Sequence, residues 1–214
     1  MGIASFNNGK YQEKSCLIGP LLLYWRRYFG SLWLKVCETV KVILSSEQIE
    51  QILDDLASRI VSAVPPPLDI AVIGIRSRGE VLAQRLSGRL SSRLGKSVAC
   101  GTLDITLYRD DLNSPRTTAG PQVRTTEIGF DIDDKIIILV DDVLYTGRSA
   151  RAAMDALIDL GRPKAIRLAV LVDRAGREFP IQADYAGFKT DVAPDRLVQV
   201  FLAESDGKDE VVIE

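Results

Sequence analysis

The chain has 214 residues, 46% of them hydrophobic and 26% charged, enough for one α/β domain with a sizeable core or one domain plus an appendage. It contains no histidine, which excludes an imidazole base, a Ser-His-Asp triad and every histidine metal site. Of the net charge of −2, residues 1–44 carry +4 and the remainder −6; an acidic main body argues against a broad electrostatic grip on nucleic acid, leaving room only for a local basic patch.

Cys16, Cys37 and Cys100 form neither a metal-ligand spacing nor an even-numbered disulfide framework, so a reducing, cytoplasmic setting is expected. Residues 1–44 read as an accessory or disordered extension. Within them Leu17 to Val36 is apolar and aromatic but carries Arg26 and Arg27 in its middle, a costly pair for a membrane span. A membrane-surface anchor is the alternative there, and the fit to a signal peptide is poor.

Regular patterning starts at Ser45. Ser45 with Gln48 forms a capping box, followed by Ile49, Ile52, Leu53, Leu56, Ile60 and Val64 at helical spacing. Pro65, Pro66 and Pro67 end that helix. Ile70–Ile75 is a continuous apolar run, as in a buried parallel strand. A turn over Arg76–Gly79 leads to a second helix through Val81, Leu82, Leu86, Leu90 and Leu94, ending near Gly95. Ser97–Leu107 reads as a strand. Tyr108–Thr126 is a polar loop too long for a passive connector. Ile136–Val140 is the most apolar strand, then come Asp141, Asp142, a turn, and a helix through Ala153, Met154, Leu157 and Ile158. Gly161 and Pro163 stop it, and Ile166–Val172 is another buried strand. Val198–Leu202 and Val211–Ile213 suggest a small β excursion. Alternating strands and helices predict an α/β fold with a doubly wound, mainly parallel sheet.

The chemistry concentrates in Ile137-Ile138-Leu139-Val140-Asp141-Asp142-Val143-Leu144-Tyr145-Thr146-Gly147-Arg148-Ser149. An apolar strand delivers two carboxylates to the carboxyl end of a sheet, where open α/β folds bind ligands. The loop that follows opens into a helix, whose N-terminal amides accept an anion, and Gly147 permits close backbone approach. Phosphate at one end and hydroxyls or a cation at the other describe a sugar phosphate. Asp141 and Asp142 could equally end a strand and cap a helix, hold Mg²⁺ in a phosphate hydrolase, or accept phosphate in a receiver domain.

The whole run resembles the 5-phosphoribosyl-1-diphosphate (PRPP) signature of type I phosphoribosyltransferases. Asp141-Asp142-Val143-Leu144-Tyr145-Thr146-Gly147-Arg148 in particular resembles the bifunctional pyrimidine operon regulator/uracil phosphoribosyltransferases, Tyr145 replacing the small residue of most type I members. Gly74–Gly79, Asp104–Leu112, Gly161–Pro163, Leu168–Arg174 and Ala183–Tyr185 agree. The resemblance runs from about Ser45 to the C-terminus, so residues 1–44 stand apart from a phosphoribosyltransferase domain at 45–214.

The resemblance implies a small hood, a mobile flap and the following roles. Asp141 and Asp142 hold the ribose hydroxyls, and Val143, Leu144, Tyr145, Thr146, Gly147, Arg148 and Ser149 the 5-phosphate. Arg76–Gly79 form the diphosphate loop, with Ser77 and Arg78 in contact. Tyr108–Thr126 is the flap, Arg109 reaching the diphosphate; a surface loop tied by an Arg–Asp pair is the plain alternative. Asp173, Arg174 and Tyr185 lie near the nucleobase, against the alternative of a buried strand end and a packed core tyrosine. Asp141, Asp142 and Arg109 form the implied catalytic set, no residue belongs to a protein-only metal site, and Mg²⁺ arrives mainly on PRPP.

The implied reaction is uracil plus PRPP giving UMP plus diphosphate, in a pentosyltransferase that self-associates and responds to UMP as a regulator. The alternatives are an RNA-binding attenuator with little catalysis and a phosphoribosyltransferase for another base. RNA is disfavoured: the first helix carries Glu47, Glu50, Asp54 and Asp55 against Arg59, and Gly176 stands where the family has histidine. An RNA surface would need Arg148, Arg151, Arg162, Lys164 and Arg177 on one face.

Overall fold

The computed structural model describes residues 40–64, 69–110 and 124–214. Pro65–Pro67 and most of the expected flap, residues 111–123, lie outside the described residues, as does 1–39.

A short strand absent from the sequence reading, β1 (Lys41–Ser45), leads into helix α1 (Ser46–Ala63). The capping box forms as expected. The Ser45 amide donates to Gln48 Oε1 at 2.9 Å, and the Gln48 amide donates to Ser45 Oγ at 3.4 Å, a device worth about 1 kcal/mol. Next come β2 (Ile70–Ile75), α2 (Arg78–Leu94) and β3 (Ala99–Leu103). The strand expected over 97–107 stops early because Asp104 turns the chain: its Oδ1 accepts from the Thr106 amide (3.0 Å) and hydroxyl (2.6 Å), starting a 3₁₀ turn at Thr106–Tyr108. Beyond it lie β4 (Ile136–Leu144), α3 (Arg148–Leu160), β5 (Ala165–Arg174), β6 (Tyr185–Thr190), β7 (Val198–Phe201), the short α4 (Ala203–Asp206) and β8 (Glu210–Ile213).

Five strands form a wholly parallel sheet in the order β3-β2-β4-β5-β6. One apolar cluster, with Ile49, Leu53, Leu82, Leu86 and Ile138, packs α1 and α2 on one face. Another, with Ile73, Ile137, Ala153 and Leu157, packs α3 on the other. The sheet is therefore doubly wound, as the alternation predicted. Strand order reverses between β2 and β4, so the ligand crevice of such folds lies at their carboxyl ends. A separate antiparallel sheet, β1-β8-β7, forms the small β excursion. Among the described residues no helix is long and apolar enough to cross a membrane.

Two glycines close the β2–α2 corner. A Cβ on Gly74 would sit 2.4 Å from the Gly79 carbonyl oxygen, and one on Gly79 2.6 Å from that of Val140. Both neighbours are backbone, so neither yields cheaply. The start of α2 is thereby pressed onto the ends of β2 and β4. Gly74→Ala is expected to destabilise the fold by about 1–3 kcal/mol through overpacking. Gly88→Ala on the exposed face of α2, where nothing lies within 4 Å, should instead stabilise by roughly 0.5–1 kcal/mol. Urea unfolding of the two variants checks both signs.

Candidate active site

β4 is buried from Ile136 to Asp141 and runs four residues further than the apolar pattern suggested, so the acid pair lies inside the strand. Asp141 is only 9% exposed and Asp142 is half-buried. The Asp142 amide donates to Asp141 Oδ1 (3.0 Å) and the Val143 amide to Asp142 Oδ1 (2.8 Å). Burial, then the charge of Asp142, pushes the Asp141 carboxyl well above the usual range, while the charge of Arg109 pulls it back. Arg109 follows the 3₁₀ turn, and its influence on Asp141 ties the start of the expected flap to the acid pair.

The loop after Leu144 reaches α3 through Gly147, whose φ of +91° lies in the left-handed region. A Cβ there would also press on Phe179 at 3.2 Å, so glycine meets both demands. The Thr146 hydroxyl accepts from the Arg148 amide (3.3 Å). Thr146 O accepts from the Glu178 (2.9 Å) and Phe179 (3.0 Å) amides. The Arg148 guanidinium turns to Asp110 (2.7 Å) and Glu178 (2.6 Å), over the Phe179 ring.

Facing this loop across the switch point is the corner Arg76–Arg78, where the Arg76–Ser77 peptide is cis. Ser77 is exposed. Arg76 donates to Glu127 Oε1 (2.9 Å), and its Nε is buried without a hydrogen-bond partner among the described residues. Arg78 is held by the α4 carboxylate of Asp206, Nε to Oδ2 at 3.3 Å and NH2 to Oδ1 at 3.0 Å. The Leu202 amide, then Arg78 and Ser205, hold the Asp206 carboxyl below its ordinary range despite some burial.

The three residues expected near the nucleobase lie in different surroundings. Tyr185 begins β6, level with Ala169 and buried among the α1-side core, with the Arg59 guanidinium 5.8 Å from its ring; the packed-core alternative describes it. Arg174 is 3% exposed, with its guanidinium 4.0 Å from the Tyr145 ring centroid and donating to Ala193 O at 2.9 Å. It touches the loop from within the protein. Asp173 accepts from Arg177 and also lines a surface depression with Ala175, Lys189, Thr190 and Asp191.

Two functional supports escaped the sequence reading. Asp104 joins both ends of the expected flap, Oδ1 accepting from Thr106 and Oδ2 from the Arg124 amide at 2.6 Å. Burial raises its carboxyl, but the hydrogen bonds of Thr106 and Arg124 outweigh that and leave it below the ordinary value. Asp-Ile-Thr is an Asx-turn signature that could have marked this residue. Arg177, weighed only as part of a basic patch, is turned onto backbone carbonyls; no sequence signal marks such partners.

A family model described as the phosphoribosyl transferase domain matches residues 39–202. The protein named bifunctional protein PyrR from Deinococcus radiodurans is 51% identical over 167 residues, covering 78% of this chain and 90% of its own. Its namesake from Thermus aquaticus is 49% identical over 171 residues, covering 79% and 92%. A hypoxanthine-guanine phosphoribosyltransferase of Bacillus anthracis superposes with a TM-score of 0.59 at 20% identity, over 81% of this chain and 96% of its own. The hypoxanthine phosphoribosyltransferase of Trypanosoma cruzi gives 0.60 at 18%, over 81% and 95%. At those identities the structures share the fold. The family match and these relatives place the chain in the phosphoribosyltransferase family, among the proteins called bifunctional protein PyrR.

Proposed function

We propose that this phosphoribosyltransferase joins uracil to the ribose of PRPP, releasing diphosphate and forming UMP, and that bound UMP makes the protein a regulator of pyrimidine gene expression. The observation that carries the reading is the Asp141–Asp142 pair near the carboxyl end of β4, linked by a short loop to the N-terminus of α3 at the switch point of the sheet. Asp142 offers a half-exposed carboxylate to the ribose hydroxyls. The loop amides, with the Thr146 and Ser149 hydroxyls, receive the 5-phosphate at the helix start. Arg109 and the Arg76–Ser77–Arg78 corner take the diphosphate, Arg78 exchanging Asp206 for it.

In the reaction the bond from the ribose anomeric carbon to the diphosphate oxygen breaks. A bond from that carbon to a uracil ring nitrogen forms, and the nitrogen's proton passes to water or diphosphate. Positive charge develops on the sugar, and the two carboxylates stabilise it from a fixed position. No residue acts as nucleophile. With Arg174 and Tyr185 buried, the nucleobase is assigned to the depression beside Asp173 and Lys189.

Among the described residues no three His, Cys, Asp or Glu side chains converge to cage a metal. The acid pair suits a hard cation that keeps its waters and arrives on the diphosphate, as Mg²⁺ does. When bound, Mg²⁺ supplies charge neutralisation at the leaving group.

RNA is the weaker part of the regulatory reading. Arg148 is paired with Asp110 and Glu178, Arg151 with Asp155 and the Tyr108 carbonyl, and Arg177 with carbonyls and Asp173. RNA phosphates would have to displace carboxylates from these three arginines. A pyrimidine-leader RNA, titrated with UMP present, is expected to bind no tighter than the non-specific range of about 10⁻⁴–10⁻⁶ M. A tight, sequence-dependent complex would restore RNA as the regulatory partner.

The deciding experiment is PRPP-dependent conversion of radiolabelled uracil to UMP with Mg²⁺. Turnover is expected in the parent protein, and Asp142→Asn should lower kcat about 10²–10³-fold. Folded protein that binds PRPP but ignores uracil would shift the reading to another base.

Asp141→Asn separates stability from activity. A carboxyl whose folded pKa is raised binds more protons folded than unfolded, so its contribution falls as pH rises from about the unfolded value near 3.9 through the folded one. At neutral pH Asp141 therefore opposes folding. Asparagine keeps the Oδ1 acceptor for the Asp142 amide and removes the charge. The variant should be more stable by about 1–2 kcal/mol near pH 7, with turnover largely lost, and the gain should shrink toward pH 4. Thermal unfolding across pH reads the sign.

A further inference from the structure

We propose that Arg177 is a positioning residue that holds the phosphate loop in its anion-accepting form by gripping its carbonyl side. The inference rests on the reading that Val143–Ser149 receives a phosphate.

Arg177 follows β5 and extends back toward the end of β4. Its NH1 donates to Leu144 O (3.2 Å), Tyr145 O (2.5 Å) and Arg174 O (2.7 Å), and its Nε to Ile181 O (2.9 Å). Its NH2 meets the Asp173 carboxylate. One guanidinium thus joins the loop, the end of β5 and the segment leading to β6. The next carbonyl, Thr146 O, accepts from the Glu178 and Phe179 amides. Three successive loop carbonyls are therefore drawn to one side, toward residues 174–179.

The consequence follows from peptide geometry. In a planar trans peptide the C=O and the following N–H point in opposite directions. Drawing the carbonyls of Leu144, Tyr145 and Thr146 one way directs the amides of Tyr145, Thr146 and Gly147 the other way. Successive amides facing one side make a nest for an anion, here continuous with the start of α3. Preorganised donors need no reorientation when the phosphate arrives.

Two neighbours serve the same end. Arg174 packs its guanidinium on the Tyr145 ring at 4.0 Å. Gly176, at φ +117°, leaves that ring its space: a Cβ there would come within 2.4 Å of Tyr145 Cε2. The charge on Arg177 is already countered by Asp173, so its contribution is geometric more than attractive. Lysine, a point charge without the planar fork, cannot reach four carbonyls and a carboxylate together.

The test compares the parent chain with Arg177→Gln and Arg177→Lys. The readouts are binding of ribose 5-phosphate by calorimetry, steady-state kinetics with PRPP varied, and hydrogen exchange of the ligand-free 144–149 segment. Both variants are expected to weaken ribose 5-phosphate binding and raise KM for PRPP about tenfold or more, the equivalent of one charge-assisted hydrogen bond. They should change kcat less, and the Tyr145–Gly147 amides should exchange faster. A wild-type-like Arg177→Lys would overturn the clamp, since charge alone would then suffice. So would a loss of thermal stability with KM and loop exchange unmoved. Should Arg177→Gln fail to fold, Arg177→Lys decides between these outcomes. If the parent itself ignores ribose 5-phosphate, the phosphate-site reading falls, and the loop exchange rates still decide whether Arg177 holds the loop.

Discussion

A carboxylate at the end of the most apolar strand in the sheet constrains everything around it. Asp141 cannot be solvated like a surface acid, and a second acid follows it directly. Burying such a group is unfavourable unless its oxygens are hydrogen-bonded. The local answer is small: one backbone amide, from Asp142, donates to it. The wider answer is the position of the pair, beside the N-terminal end of α3 and within reach of Arg109's charge. In the reaction proposed above, an acid pair fixed in this way is preorganised for a developing sugar cation, at the expense of stability.

That position depends on close backbone packing. Gly74 and Gly79 let the start of α2 press against β2 and Val140, bringing the Arg76–Arg78 corner opposite the acid pair. Asp104 turns the chain at the end of β3 and binds the returning segment through the Arg124 amide. The Glu127 backbone then pairs with Thr102, with hydrogen bonds of 2.9 and 2.8 Å. Three strand ends and the roots of the long loop thus converge on one crevice, held by residues that tolerate little change: glycines where backbones touch and one carboxylate where the chain turns.

The parts legible in the sequence are those encoded by local pattern. The capping box at Ser45, the apolar runs of β2 and β4, and the acid pair followed by Thr146-Gly147 all depend on residues within a few positions of one another. β1 and β6 escaped for the opposite reason. Lys41–Ser45 is a strand because β8 lies beside it, and Tyr185–Thr190, with its Gly187 and Lys189, because β5 does. The resemblance places Tyr185 and Arg174 near the nucleobase, while strand register and packing set their surroundings. Tyr185 sits level with Ala169, well below the carboxyl end of the sheet, while Arg174 is buried behind the Tyr145 ring. Arg177 was unreadable because its partners are carbonyls, which every residue possesses.

The arginines around the crevice divide by what they are bound to. Arg148 pairs with two carboxylates while its side chain stays 45% exposed, and Arg78 pairs with Asp206 at 35% exposure. Ion pairs open to solvent contribute about 0–1 kcal/mol, so a phosphate or diphosphate bearing several charges can take either guanidinium from its carboxylate at little loss. Arg177 is different: most of its partners are backbone carbonyls, which cannot follow it elsewhere without undoing the loop. Releasing it would leave polar groups unpaired, at roughly 1–3 kcal/mol for each buried one. In the site proposed above, the exchangeable arginines are the ones that meet the ligand and a fixed one shapes the loop from behind; partner chemistry rather than charge separates the two roles.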